Sequence, residues 1–421
     1  MEFAKSLGAL AVIALFLSCA PAASPAPARV DWPMYRGDLA RDGHPPSATL
    51  DAAGARRLAA VWHGQLPGAI DGTPAIAGGL VIAASMGGHV AAFRQSSGAL
   101  TWDTSPLGPI SSSPDVDGSR VFVSTLTGHV WALDLGSGVR AWDWQAPGVQ
   151  PALWASPAVD HGVVVIGSAS PYGDAPLEPG RMFGLDESSG RLIWSICILP
   201  GCAPGDGVWS TPSIDAAGIG YVGVGNPADG VLAFDVATGK PVWQVSLYPD
   251  AGRDLDIGAS PVLLRSGGRE ALAVSSTLGL VAVLDARDGS VIWSAGIVEG
   301  SSVHGLLATP AYDGSLLFVA SASPPTGVIA LATGGAVDWK HVTDLPVYSS
   351  PAVANGVVIF GTGAVFGDLK AGTVMALSAS SGATLWTYDA HSAVRGSPAV
   401  AGSLVVIGDH DGDLLAFAPA A

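Results

Sequence analysis

SSPAVANGVVIFGTGAVFGDLKAGTVMALSASSGATLW, from Ser349 to Trp386, reads as four strands written in order. Ser350-Pro351 opens a short strand, and Asn355-Gly356 is a two-residue hairpin signal of the type whose backbone twist matches flanking strands. The apolar VVIFG follows, then a longer loop, then TVMALSA, then a Ser381-Gly382 turn and a strand carrying Trp386. A lone sheet of this kind has two apolar faces and nothing to cover them, so it must stack on copies of itself.

The copies are present. The Ser/Thr-Pro opener recurs at Thr73, Ser113, Ser156, Thr211, Ser260, Thr309, Ser350 and Ser397, each followed by Pro. The closing tryptophan recurs at Trp102, Trp142, Trp194, Trp243, Trp293, Trp339 and Trp386. Eight openers are thus followed by only seven closers, and the eighth unit runs out near Phe417 before a fourth strand. The missing strand lies ahead of the first opener, at Leu58 to Trp62. A ring closed by its N-terminal strand accounts for this count. The predicted fold is all-β, an eight-bladed β-propeller of four-stranded antiparallel blades.

Ahead of the ring, one lysine precedes an apolar run from Leu7 to Leu17, too short to span a bilayer and suited to a signal-peptide core. Residues 1–18 are therefore expected to be a signal peptide, 19–30 an Ala/Pro tether, and 31–421 a single propeller domain. Phe16-Leu17-Ser18-Cys19 resembles a bacterial lipoprotein signal. That resemblance implies a lipid anchor at Cys19 in the cell envelope or periplasm, and simple secretion is the alternative. Both place the protein outside the cytoplasm.

Composition limits the partners. Charged residues are 13% of the chain, against about 25% in typical proteins, and the net charge is −16 with no Lys/Arg cluster. This excludes nucleic acid, and it excludes the membrane except through an N-terminal anchor. With Cys19 lipidated, Cys197 and Cys202 remain as one pair, expected to form a local disulfide.

Loops between the second and third strands, and between blades, vary in length, whereas the other two turns of each unit are short. In an up-and-down blade the two variable classes emerge on one face. Function is expected there, most heavily over blades three to five.

The units, and the preceding DWPMYRGDLARDG at Asp31–Gly43, resemble the pyrroloquinoline-quinone (PQQ) propeller proteins, a superfamily of PQQ-dependent alcohol and polyvinyl-alcohol dehydrogenases and of outer-membrane assembly lipoproteins that bind no quinone. The dehydrogenase motifs are closest to the polyvinyl-alcohol type. GDGVWSTPSID at Gly205–Asp215 implies Trp209 as the floor beneath PQQ, and GVGNP at Gly223–Pro227 implies Asn226 as a calcium ligand. RDLDIGASPVL at Arg253–Leu263 implies Asp254 as catalytic base and metal neighbour. The chemistry suits these types: calcium takes hard oxygen ligands, a carboxylate removes an alcohol proton, and the quinone accepts the hydride.

The same resemblance shows departures. Thr277 stands where the dehydrogenases place a quinone-contacting Lys or Arg, so the cofactor contact there falls to Thr277. Glu178 is the substitute, out of register, for their calcium-binding Glu, and the vicinal cysteine pair of the blade-three loop is missing. Two functions follow. The first is a binding or assembly scaffold with a degenerate quinone site and a protein partner. The second is a PQQ- and calcium-dependent dehydrogenase acting on a small alcohol or polymer substrate.

Overall fold

The computed structural model describes Met1, residues 31–249 and residues 254–420. The expected signal peptide, tether and Cys19 anchor lie outside the described residues, as does Arg253. The strands pair into eight antiparallel sheets of four. Blade 1 comprises Ala75–Ala77, Leu80–Ala84, Val90–Arg94 and Leu100–Thr104, and later blades repeat that order.

Blade 8 comprises Ala399–Ala401, Leu404–Gly408 and Asp413–Pro419, and its outer strand is Leu58–Gln65. The register shows that this strand is a true equivalent of the other fourth strands. In blade 1 the pairing slips between Ala92 and Phe93, one residue before Trp102, and Leu58–Gln65 slips at the same place, between Ala60 and Trp62. Such a bulge re-aims the side chain that follows it. Here that side chain is the blade's tryptophan.

Each re-aimed indole reaches the next blade. Trp62 Nε1 donates to the Gln95 carbonyl at 2.9 Å, Trp102 to Leu135 at 2.9 Å, and Trp339 to Ala379 at 2.8 Å, each acceptor lying on the turn between third and fourth strands. Trp142, Trp194, Trp243 and Trp293 do the same. Trp386 is the exception. Blade 8 draws its fourth strand from elsewhere and has no such turn, so Trp386 packs edge-on against Phe417 instead, with centroids 5.0 Å apart. Between blades the cores are apolar, as around Val81, Ile359, Val406 and Phe417.

The Ser/Thr openers form an inner belt. The amide of each donates to the hydroxyl of the next: Thr73 to Ser113, then Ser156, Thr211, Ser260, Thr309, Ser350 and Ser397, at 2.8–3.0 Å. The belt is open at one point, where Thr73 Oγ1 has no partner among the described residues. Beside that gap, Arg395 of blade 8 pairs with Asp71 of blade 1 at 2.9 Å.

Residues 31–43 cross the plain face and seal it. Trp32 pairs with Ile76, and the carbonyls of Pro33, Leu39, Ala40, Asp42 and Gly43 accept from Val116, Ile214, Leu263, Tyr312 and Val353. These residues lie on the first strands of blades 1, 2, 4, 5, 6 and 7. Two buried arginines continue the seal: Arg36 donates to the Pro351 and Pro310 carbonyls, and Arg41 to that of Pro212. Burial costs both guanidiniums, pushing Arg36 down to about 10 and Arg41 down as well. Cys197 and Cys202 form the expected disulfide, their Cα atoms 5.1 Å apart.

Candidate functional site

On the elaborated face a cavity of about 440 Å³ opens over the axis. Trp209, Asn226 and Asp254 all line it. Trp209 is the second residue before its opener, which aims its ring inward. The ring lies directly on Gly258: a Cβ there would sit 1.6 Å from it, so only glycine leaves room. The Trp209 indole N–H donates to Asp256 Oδ2 at 2.9 Å.

Asp256 is the organising carboxylate. Its Oδ1 accepts the backbone N–H of Asn226 at 3.0 Å, so one side chain ties the loops of blades 4 and 5 to the floor. Burial is the main cause that pushes its carboxyl up to about 6, and the charges of Asp254 and Asp174 push the same way. Asp254 is exposed, its backbone is left-handed with φ 55°, and its Oδ1 lies 3.4 Å from Asn226 Nδ2.

The other two expected site residues face elsewhere. Thr277 is buried behind the cavity wall, its Oγ1 accepting the Asp256 N–H at 2.8 Å, while its own amide donates to the Asp256 carbonyl. It clamps the loop and does not line the cavity. Glu178 is likewise buried, with Oε1 accepting the amides of Val149 and Gln150 at 2.9 and 2.6 Å. A carboxylate that satisfies two backbone donors of the blade 2–3 connection is turned away from Asn226 and Asp254. Among the described residues, no group of three or more His, Cys, Asp or Glu side chains could hold a metal ion.

The cavity also reaches further round the ring than the loop lengths suggest. Val303 and Leu307 enter from the connection before blade 6, Tyr348 from that before blade 7, and Val365 and Phe366 from the long loop of blade 7. Phe366 meets Tyr172 of blade 3 above the axis, with ring centroids 6.4 Å apart. His304 accepts or donates at 2.8 Å with the Tyr348 hydroxyl, whose titration burial raises to about 12. The floor was encoded in a position that escaped the sequence reading. Two residues before the eight openers stand Asp71, Ser111, Trp154, Trp209, Gly258, Leu307, Tyr348 and Arg395. All eight line a lower axial cavity of about 230 Å³, and the four large apolar or aromatic ones separate it from the upper cavity.

A family model described as outer membrane protein assembly factor BamB matches residues 48–244, 227–300 and 277–421. The chain belongs to this PQQ-like propeller family. Among curated proteins it is similar to a polyvinylalcohol dehydrogenase of Pseudomonas sp, 25% identical over 421 aligned positions covering 81% of this chain and 65% of that one. A second, from Sphingopyxis sp. (strain 113P3), is 30% identical over 168 residues, 32% of this chain and 24% of the relative. The propeller thus spans less than two thirds of either relative's length.

Among solved structures the family member resembles the quinohemoprotein alcohol dehydrogenase of Comamonas testosteroni, with TM-score 0.79 and 17% identity over 92% of this chain and 80% of that one. It also resembles BamB from Moraxella catarrhalis, with TM-score 0.65 and 20% identity over 86% of this chain and 97% of that one. At these identities the likeness is one of fold.

The cavity can be tested against the cofactor that some of these names imply. PQQ carries carboxylates of its own. The described lining presents Asp174, Asp254 and Asp256 and no Lys, Arg or His. Arg181, a basic residue of the neighbouring strand, is not part of the lining. An anionic quinone meeting three carboxylates, with Thr277 and Glu178 both committed to backbone amides, does not fit this site.

Proposed function

We propose that this propeller is an extracytoplasmic binding or assembly scaffold whose upper cavity is a degenerate quinone site. The observation that carries the reading is the diversion of Glu178 and Thr277, whose oxygens cap amides of Val149, Gln150 and Asp256 instead of reaching the cavity. The charge of the lining supports it. On this reading the protein acts through a partner, with the loops of blades 3, 4, 6 and 7 as the contact surface. A signal peptide over residues 1–18, a tether over 19–30 and an anchor at Cys19 would hold the ring at a membrane.

The second reading, a PQQ- and calcium-dependent alcohol dehydrogenase of the polyvinyl-alcohol type, is favoured by one observation: Trp209, Asn226 and Asp254 share one cavity. Titration of the purified chain with PQQ and calcium, followed by absorbance, separates the two. The scaffold reading expects no calcium-dependent complex at high micromolar cofactor. A saturable complex that oxidises an alcohol would overturn it.

A further inference from the structure

The lower axial cavity of about 230 Å³ is walled by the openers, and their hydrogen bonding leaves it rich in donors. A hydroxyl carries one O–H donor and two acceptor lone pairs. Ser113, Ser156, Thr211, Ser260 and Ser397 each commit an acceptor position to the amide of the preceding opener. Among the described residues, none of these five hydroxyls donates its own hydrogen to another group. Thr309 and Ser350 are engaged by the Tyr35 hydroxyl, at 2.9 and 3.1 Å.

The junction of blades 8 and 1 is different, because the belt does not bridge it. Thr73 is 1% exposed, and its Oγ1 has no partner among the described residues. Arg395 lines the same cavity. One of its terminal nitrogens faces Asp71 at 2.9 Å and donates to His410 Nδ1 at 2.7 Å, whereas its buried Nε–H has no partner among the described residues. Two residues with unsatisfied buried donors thus line one polar cavity at the same junction. Buried donors are costly to leave unpaired, so an acceptor belongs there.

Charge and polarity decide which acceptor suits the cavity. Its wall carries one guanidinium and one carboxylate, Arg395 and Asp71, which offset each other and leave no surplus charge for a multivalent ion. Water accepts, but it brings two more hydrogens into a space already supplied with donors. A monovalent ion that only accepts brings none. The volume of about 230 Å³ admits such an ion with several waters, each taking about 30 Å³ in the liquid. Arg395 and Asp71 keep 16% and 21% of their side chains exposed, which marks the side of blades 8 and 1 as the entrance. The net charge of −16 opposes entry, but charges beyond about 8 Å are largely screened at physiological ionic strength.

We propose that the lower cavity binds a halide ion at the junction of blades 8 and 1, held by the Thr73 hydroxyl and the Arg395 Nε–H. The ion completes the belt where protein groups leave it open, and so ties the two ends of the ring together. This site is separate from the upper cavity and does not depend on what that cavity takes.

The test uses the purified chain in sodium gluconate, with sodium chloride exchanged in at constant ionic strength. Chloride-35 NMR is expected to show saturable line broadening in the millimolar range, reversed by bromide. The melting midpoint is expected to rise along the same saturation curve, since the ion binds only the folded ring. Thr73→Val keeps the shape and removes the hydroxyl. It should weaken chloride about tenfold or more, the scale of losing one hydrogen bond to a charged partner. Thr73→Ser restores the donor and should bind about as tightly as the parent.

Broadening that never saturates, or melting midpoints that follow ionic strength whichever anion is present, would mean screening of the acidic chain alone and overturns the proposal. Unchanged chloride affinity in Thr73→Val overturns it as well. Should that variant fail to fold, Arg395→Lys takes its place, keeping the positive charge opposite Asp71 without the guanidinium. Several-fold weaker chloride binding is expected there, and parental affinity would place the ion elsewhere and refute the site.

Discussion

The two faces of the ring handle buried charge in opposite ways. On the plain face, Arg36 and Arg41 are almost fully buried, and each donates to backbone carbonyls of opener prolines, Pro351 and Pro310 for Arg36 and Pro212 for Arg41. A buried carbonyl left without a partner costs about 1–3 kcal/mol. On the elaborated face the charges are carboxylates, one half-buried and two exposed, and all three line the upper cavity. The first arrangement closes a hole with arginine-to-carbonyl hydrogen bonds. The second keeps a hole open and lines it with negative charge.

Removing the seal should produce the largest effect. A chain lacking residues 31–63 loses both the stitching across six blades and the outer strand of blade 8, and no cooperative calorimetric transition is expected. If it melts like the full chain, the plain face is ornament and the contrast fails. Arg36→Met should cost roughly 3 kcal/mol in urea unfolding, because the Pro310 and Pro351 carbonyls lose their partner. A loss below about 1 kcal/mol, the scale of an ordinary surface change, would mean that water replaces the guanidinium.

On the open face the effects should be smaller for stability and larger for binding. Gly258→Leu drives a side chain into the Trp209 ring, with an expected cost of about 1–3 kcal/mol and quenched response of tryptophan fluorescence to any cavity ligand. Unchanged fluorescence would show that Trp209 does not depend on that contact. The smallest change is expected from Asp254→Asn, within about 0.5 kcal/mol of the parent by urea unfolding, since an exposed loop carboxylate carries little packing. A strong destabilisation there would mean that Asp254 belongs to the scaffold, as Glu178 does.

The ring was legible because its signals are local and repeated. A Ser/Thr-Pro, a turn glycine and a tryptophan recur at each blade, and the odd count of tryptophans exposed the closing strand. Trp209, Asn226 and Asp254 were legible through motif resemblance, and the structure brings them into one cavity. Glu178 and Thr277 were not, because the direction of a loop side chain is set by partners distant in sequence. Glu178 turns toward amides at 149 and 150, and Thr277 toward the backbone of residue 256. Trp154 and Tyr348 were hidden for another reason. Their shared position two residues before the opener carries seven different side chains in eight blades, with only Trp occurring twice, so little repeats there except geometry.

The closing strand also has a consequence for the order in which the molecule is made. Leu58–Gln65 leaves the ribosome before any blade, yet its partner, Asp413–Pro419, is made only after the seven intervening blades. The carbonyls of residues 33–43 likewise wait for amides as distant as Val353. Until the later blades are made, the chain therefore carries an unpaired strand and two arginines destined for burial. Exposed strand edges are the usual starting points of aggregation. For this protein the vulnerable interval spans the synthesis of every blade, and it ends only when blade 8 arrives.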